Sequence, residues 1–173
     1  MPTIIVDKAK GLYQKAATSA NPAGTLSGQR KVVKNVTAAT TLTVEDSSKL
    51  IVFNDVDGAV ITLPDSGDGD IIGVTYEFAL GVTATSNAHK VVCSDTTNEK
   101  LFGVLHMSDS DTSDATVGFC ALAGDSFSAI SSNGSTTGIQ GSRYSITCIA
   151  ADKWQVEGTM IGTGTVATPF ASS

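Results

Sequence analysis

From residue 32 onward the chain is written in short β-branched and aromatic runs separated by turn clusters. Val74, Tyr76, Phe78 and Leu80 alternate with Thr75, Glu77 and Ala79, the period of two that marks a half-buried strand. Tyr144, Ile146 and Cys148 repeat the pattern within Arg143 to Ala150. Further runs occupy Val32 to Thr37, Thr41 to Glu45, Lys49 to Asn54, Ala59 to Leu63, His89 to Cys93, Leu101 to His106, Thr116 to Leu122, Phe127 to Ser131 and Lys153 to Glu157. Turn chemistry stands between them at Asp55 to Gly58, Pro64 to Asp70, Asn133-Gly134 and Asp152. About ten strands at spacings of roughly 8–15 residues, with no amphipathic helix, predict an all-β jelly-roll or β-sandwich domain.

The first thirty residues have a different texture. Residues 11–30 are small and polar, are broken by Asn21-Pro22, and carry no regular period, so they read as poor helix and poor strand. The expected organisation is an extended N-terminal arm over 1–34, a β domain over 35–160, and a small polar tail over 161–173 that ends extended or frays.

Composition sharpens this only a little. A length of 173 residues fits one domain with a short appendage, and 41% hydrophobic content is enough for a core. Thr and Ser supply 22 and 19 residues, so their presence near any acid carries little information. No apolar run approaches the roughly 20 residues of a membrane helix. Ile4-Ile5-Val6 is shorter than a signal-peptide core of about 7–15 residues, which points to a cytoplasm-like compartment and no membrane partner.

Charge changes the picture more. The net charge of −6 conceals a division. Residues 1–34 hold Lys8, Lys10, Lys15, Arg30, Lys31 and Lys34 against Asp7 alone, a net of +5, while the remainder holds five bases against sixteen acids, a net of −11. A basic leader ahead of an acidic body suggests that the leader touches something negative. Six cations over 34 residues, with Tyr13 the only ring available to stack, are too dilute for a nucleic-acid arm.

Catalytic and metal chemistry is weakly signalled. Cys93, Cys120 and Cys148 are far apart, form no CxxC pair, and each lies in a strand-like run, so they read as small buried hydrophobes. His89 and His106 have no zinc-site spacing around them, and no GxSxG elbow occurs. Asp65, Asp68 and Asp70 share one loop, and Asp109, Asp111 and Asp114 another. Both offer carboxylates at short spacing to a hard cation but lack the EF-hand pattern, so each reads first as a solvated turn. Gly162-Thr163-Gly164 resembles a dinucleotide fingerprint, yet Pro169 follows and no helix pattern does. Asn35-Val36-Thr37 and Asn133-Gly134-Ser135 match glycosylation acceptors without a secretory signal. Trp154 alternates with Gln155 and reads as a core residue, the alternative being the lining of a sugar groove. No cofactor is expected.

Taken in order, Thr41-Leu42-Thr43-Val44, Lys49 to Asn54, Val60-Ile61-Thr62-Leu63-Pro64-Asp65, Gly73-Val74-Thr75-Tyr76-Glu77-Phe78, Leu101-Phe102-Gly103 and Tyr144 to Gly158 resemble the β-structured virion proteins of tailed phages, particularly marine and cyanobacterial phages. The resemblance covers about residues 37–160. The acidic stretch near 108–115 and the basic leader depart from it. It implies a non-enzymatic jelly-roll or sandwich domain that works by assembling, often as a trimer. Such domains serve as capsid decoration (cement) proteins on the virion exterior or as head- or tail-fibre domains for host attachment. Read as a cement protein made in the host cytoplasm, the chain would bind the major capsid protein through its leader. Ile4, Ile5, Leu12 and Tyr13 are the expected buried anchors, and Lys8, Lys10, Lys15, Arg30 and Lys31 would steer electrostatically.

Overall fold

A computed structural model describes residues 3–7, 11–15, 31–47, 49–111 and 115–172, the first two segments as backbone. Lys8, Lys10, Arg30 and Asp114 lie outside the described residues. The chain divides into two compact units, 1–31 and 32–173.

Within the first unit, β1 (Thr3–Asp7) and β2 (Gly11–Lys15) pair antiparallel. Ile4 stands opposite Gln14, Ile5 opposite Tyr13, and Val6 opposite Leu12. The segment 11–30, whose composition argued against strand, therefore contributes one strand of this ladder, β2. Small and polar residues do not forbid extended backbone; they only withhold the alternation by which a strand is recognised.

The second unit is all-β, and among its described residues the only helical element is one 3-10 turn, Val44–Asp46. Its strands are β3 (Val33–Val36), β4 (Thr40–Thr41), β5 (Leu50–Phe53), β6 (Val60–Thr62), β7 (Thr75–Leu80), β8 (His89–Val92), β9 (Lys100–Asp109), β10 (Val117–Ala121), β11 (Ala129–Ser132), β12 (Arg143–Ala150), β13 (Lys153–Gly162) and β14 (Phe170–Ala171). They form a seven-stranded sheet in the order β10-β9-β13-β12-β7-β5-β3 and a five-stranded sheet in the order β14-β11-β8-β6-β4. No helix among the described residues is long and apolar enough to cross a membrane.

Both sheets are mixed, and the mixture reflects how the chain winds. From β3 to β9, successive strands alternate between the two sheets. Each return to a sheet therefore runs in the same direction, and β3-β5-β7 and β4-β6-β8 are parallel. The β12–β13 hairpin then inserts between β7 and β9, antiparallel to β7 and parallel to β9. A jelly roll is assembled from antiparallel Greek keys; parallel rungs of this kind are a departure from that expectation.

Inward side chains of both sheets share one core. Ile51, Phe53, Tyr76, Phe78, Leu105, Ile146, Trp154 and Val156 come from the larger sheet, and Ile61, Val91, Ile130 and Phe170 from the smaller. Phe78 lies 5.2 Å from Tyr144 and Tyr76 6.1 Å from Trp154, centroid to centroid, within the range of favourable aromatic pairs. The expected tail contributes to this core: β13 runs on to Gly162, and Phe170 is buried from the edge strand β14.

Two buried acids hold the connections. Asp46 accepts from Lys34 Nζ at 2.7 Å, Lys49 Nζ at 2.8 Å and the Thr43 amide at 3.2 Å, capping the 3-10 turn. Tyr76 Oη donates to the Thr43 carbonyl. Lys34, one of the six leader cations, is thus a structural residue of β3. Glu99 is fully buried before β9 and acts as an acceptor. The Ser66 amide at 2.7 Å, Ser66 Oγ at 2.5 Å and Trp154 Nε1 at 3.3 Å donate to its Oε1, and the Asp95 amide at 2.8 Å donates to Oε2.

Gly103 shows how closely β9 and β13 approach. Its φ of 132° is disfavoured for other residues, and a Cβ there would overlap the Val156 carbonyl oxygen. Gly103→Ala is expected to cost about 2–4 kcal/mol in urea denaturation, whereas Gly124→Ala, with nothing within 4 Å, should stay within about 0.5 kcal/mol of the parent.

Removing the Glu99 acceptor strands buried donors. Glu99→Ala is expected to lose about 2–4 kcal/mol, with Glu99→Gln intermediate, and emission from the sole tryptophan, Trp154, should report the lost contact.

Candidate functional site

The leader residues expected to bind a partner are only partly placed. Ile4 and Ile5 lie in β1, and Leu12, Tyr13 and Lys15 in β2; Lys31 is exposed at the boundary of the units. The hairpin register brings the Ile5 and Tyr13 backbones together as a cross-strand pair.

The other candidates resolve as follows. Cys93 and Cys148 are buried, and burial pushes the Cys93 thiol up to about 12. Cys120 is exposed on β10, contrary to the expectation of three buried cysteines, because β10 is an edge strand and residue 120 falls on its outward face. The three thiols are free. Asp65 accepts from the Gly67 amide and Asp109 from the Asp111 amide, the local bonding expected of Asp in turns. Among the described residues, no group of three or more His, Cys, Asp and Glu is placed to hold a metal ion. Trp154 is wholly buried and lines no groove.

His89 is a core residue. Its Nδ1 accepts from the Ala59 amide at 3.3 Å and its Nε2 lies 3.1 Å from the Val82 carbonyl, which fixes the neutral ring with the proton on Nε2. The ring sits 4.8 Å from Phe53. Burial lowers its pKa below the ordinary 6.5 despite the Val82 hydrogen bond. For Asp46, burial raises the pKa, but the hydrogen bonds from Lys34, Lys49 and Thr43 outweigh it and bring the group from 3.8 to about 2.

The concave feature that sequence reading missed lies on the outward face of the seven-stranded sheet. Strand register builds it as cross-strand rows. Glu77, Ser145, Glu157 and Val104 form one row across β7, β12, β13 and β9. Ala79, Arg143, Thr159 and His106 form the next, and Thr75, Thr147, Gln155 and Phe102 the row on the other side. The first row and, from the second, Arg143, Thr159 and His106 line, with Thr75, Tyr144 and Gly158, an open groove of about 600 Å³. Gly158 leaves its floor low, lying against the Tyr144 backbone. Arg143 Nη2 donates to Glu77 Oε2 at 2.6 Å, Ser145 Oγ to Glu157 Oε1 at 3.4 Å, and the Thr75 and Thr147 hydroxyls meet at 2.8 Å. No signal in a single segment could have exposed this groove, because its residues span positions 75 to 159 and meet only through register.

The chain matches no family model, no curated protein and no solved structure.

The pH dependence of stability follows from the two shifted groups. Below pH 6.5 the unfolded chain takes up a His89 proton that the folded form resists, so stability falls there. Asp46 contributes fully above its unfolded pKa of 3.8, and that contribution is lost as pH falls through about 2. Asp46→Asn should therefore cost about 2 kcal/mol at neutral pH and flatten the profile between pH 4 and 2, as read by urea denaturation at stepped pH.

Proposed function

We propose that this chain is a phage capsid decoration protein. In this reading its β-sandwich body sits on the outer surface of the shell as a homotrimer, and its basic leader grips the major capsid protein across capsomer seams. The observation that carries the reading is the segregation of charge with structure. The 1–31 unit, which contains the two-stranded ladder, holds five bases against one acid, whereas the body is strongly acidic and has its own core. A leader of this kind is steered toward an acidic shell surface. Three leaders acting together raise overall affinity by about 10²–10⁴ over one. Ile4, Ile5, Leu12 and Tyr13 supply the apolar anchors, and Lys8, Lys10, Lys15, Arg30 and Lys31 the charge. The body acts as a platform, and no catalytic step is assigned to it.

The test is binding of the purified chain to heads stripped of their decoration protein. Replacing Lys8, Lys10, Lys15, Arg30 and Lys31 with Glu should leave Trp154 emission unchanged and reduce head occupancy at least about tenfold; deleting residues 1–30 should abolish it. Full occupancy by the deleted body would overturn the reading.

A further inference from the structure

We infer that the outward groove of the seven-stranded sheet is a binding site for a neutral oligosaccharide. The inference rests on the groove alone and not on the capsid reading.

The groove crosses four strands, β7, β12, β13 and β9. At about 4.8 Å between strands, that is about 14 Å, the reach of a short saccharide chain and more than a single ring needs. Its walls mix acceptors and donors: Glu77 and Glu157 accept, Arg143 donates, and Ser145, Thr159 and Thr75 do both. A sugar presents hydroxyls that also donate and accept, so each wall residue finds a partner without a fixed polarity along the ligand. The lining offers Val104 and the edge of the buried Tyr144 as its main apolar groups, too little for a lipid or a flat apolar ligand. Phe102, outward on β9 one row beyond the groove, supplies a ring on which a sugar face can stack.

Charge selects among saccharides. Arg143 is already paired with Glu77, while the hydrogen bond at Glu157 comes from the uncharged Ser145 hydroxyl. The groove thus holds one carboxylate more than it holds guanidinium groups, which disfavours uronates, sialates and phosphates.

The experiment is amide chemical-shift titration of the full chain with cellohexaose, laminarihexaose, maltohexaose and hexa-N-acetylchitohexaose, with hexagalacturonate as the anionic control. At least one neutral hexasaccharide should shift amides within 75–79, 104–106, 143–147 and 157–159. Glu157→Ala and Thr159→Trp, which both change exposed positions, should each weaken that binding at least about tenfold with dispersed spectra retained. The inference fails if no neutral hexasaccharide shifts these amides at about 10 mM, the weak end of specific recognition. It also fails if binding maps to another surface, survives both variants, or is tighter for hexagalacturonate.

Discussion

The body of this protein depends on a carboxyl group placed where no water reaches it. Glu99 gathers the Ser66 amide and hydroxyl, the Asp95 amide and the Trp154 indole around its two oxygens. Those donors belong to the β6–β7 connection, the β8–β9 connection and strand β13, so one side chain fixes where three segments meet. Asp152 joins the same knot: at φ 58° it turns β12 into β13, while its carbonyl accepts from the Lys100 amide that starts β9. Buried hydrogen bonds of this kind add only about 1–3 kcal/mol each to stability, but leaving any donor unmet costs as much. The energetic consequence is specificity: a one-residue slip of β9 against β13 would leave those donors unanswered.

That specificity is what makes the outward face ordered enough to recognise anything. Glu77, Arg143 and Glu157 lie on three strands, and their juxtaposition follows from the registers β7–β12 and β12–β13. The close β9–β13 approach at Gly103 then sets His106 and Val104 against the same rows. The inner and outer faces of the larger sheet are thereby coupled. Packing of Tyr76, Phe78, Tyr144 and Trp154 inside sets the spacing of polar groups outside, because successive residues of a strand point to opposite faces.

Strand existence was legible because alternation survives in the linear sequence; β12 runs from Arg143 to Ala150 as its pattern marks, and β7 begins one residue inside its run. Strand length was less so. Gly158 looks like a terminator, yet β13 continues through it to Gly162, since the Tyr144 backbone lies where a side chain would go. Asn133-Gly134 looks like a hairpin turn, yet β11 and β12 lie in different sheets, and Asn133 Oδ1 instead accepts from the Ser135 and Thr137 amides. Parallel pairing leaves no mark at all, because a period of two says which face a residue takes and not which strand it meets. Glu99, between Asn98 and Lys100, falls in none of the runs marked in the sequence; only the converging donors reveal it as core. The leader's charge was plain in the composition, but its β1–β2 ladder was not.

The ladder bears on how a leader can grip at all. Ordering a free arm on a surface costs about 1–2 kcal/mol of backbone entropy per residue. Strands β1 and β2 already place ten residues in paired, extended backbone, which in the proposed reading reduces that cost and would reserve more of the apolar contact expected of Ile4, Ile5, Leu12 and Tyr13 for affinity. In the proposed reading, charge governs the encounter and burial the residence, so salt would slow the approach of the leader more than it would loosen a docked one. The binding inferred for the groove would rest on the opposite balance. Its contacts would be short hydrogen bonds to an uncharged ligand, with no long-range field to screen, so the two proposed surfaces of one chain would answer to different solution conditions.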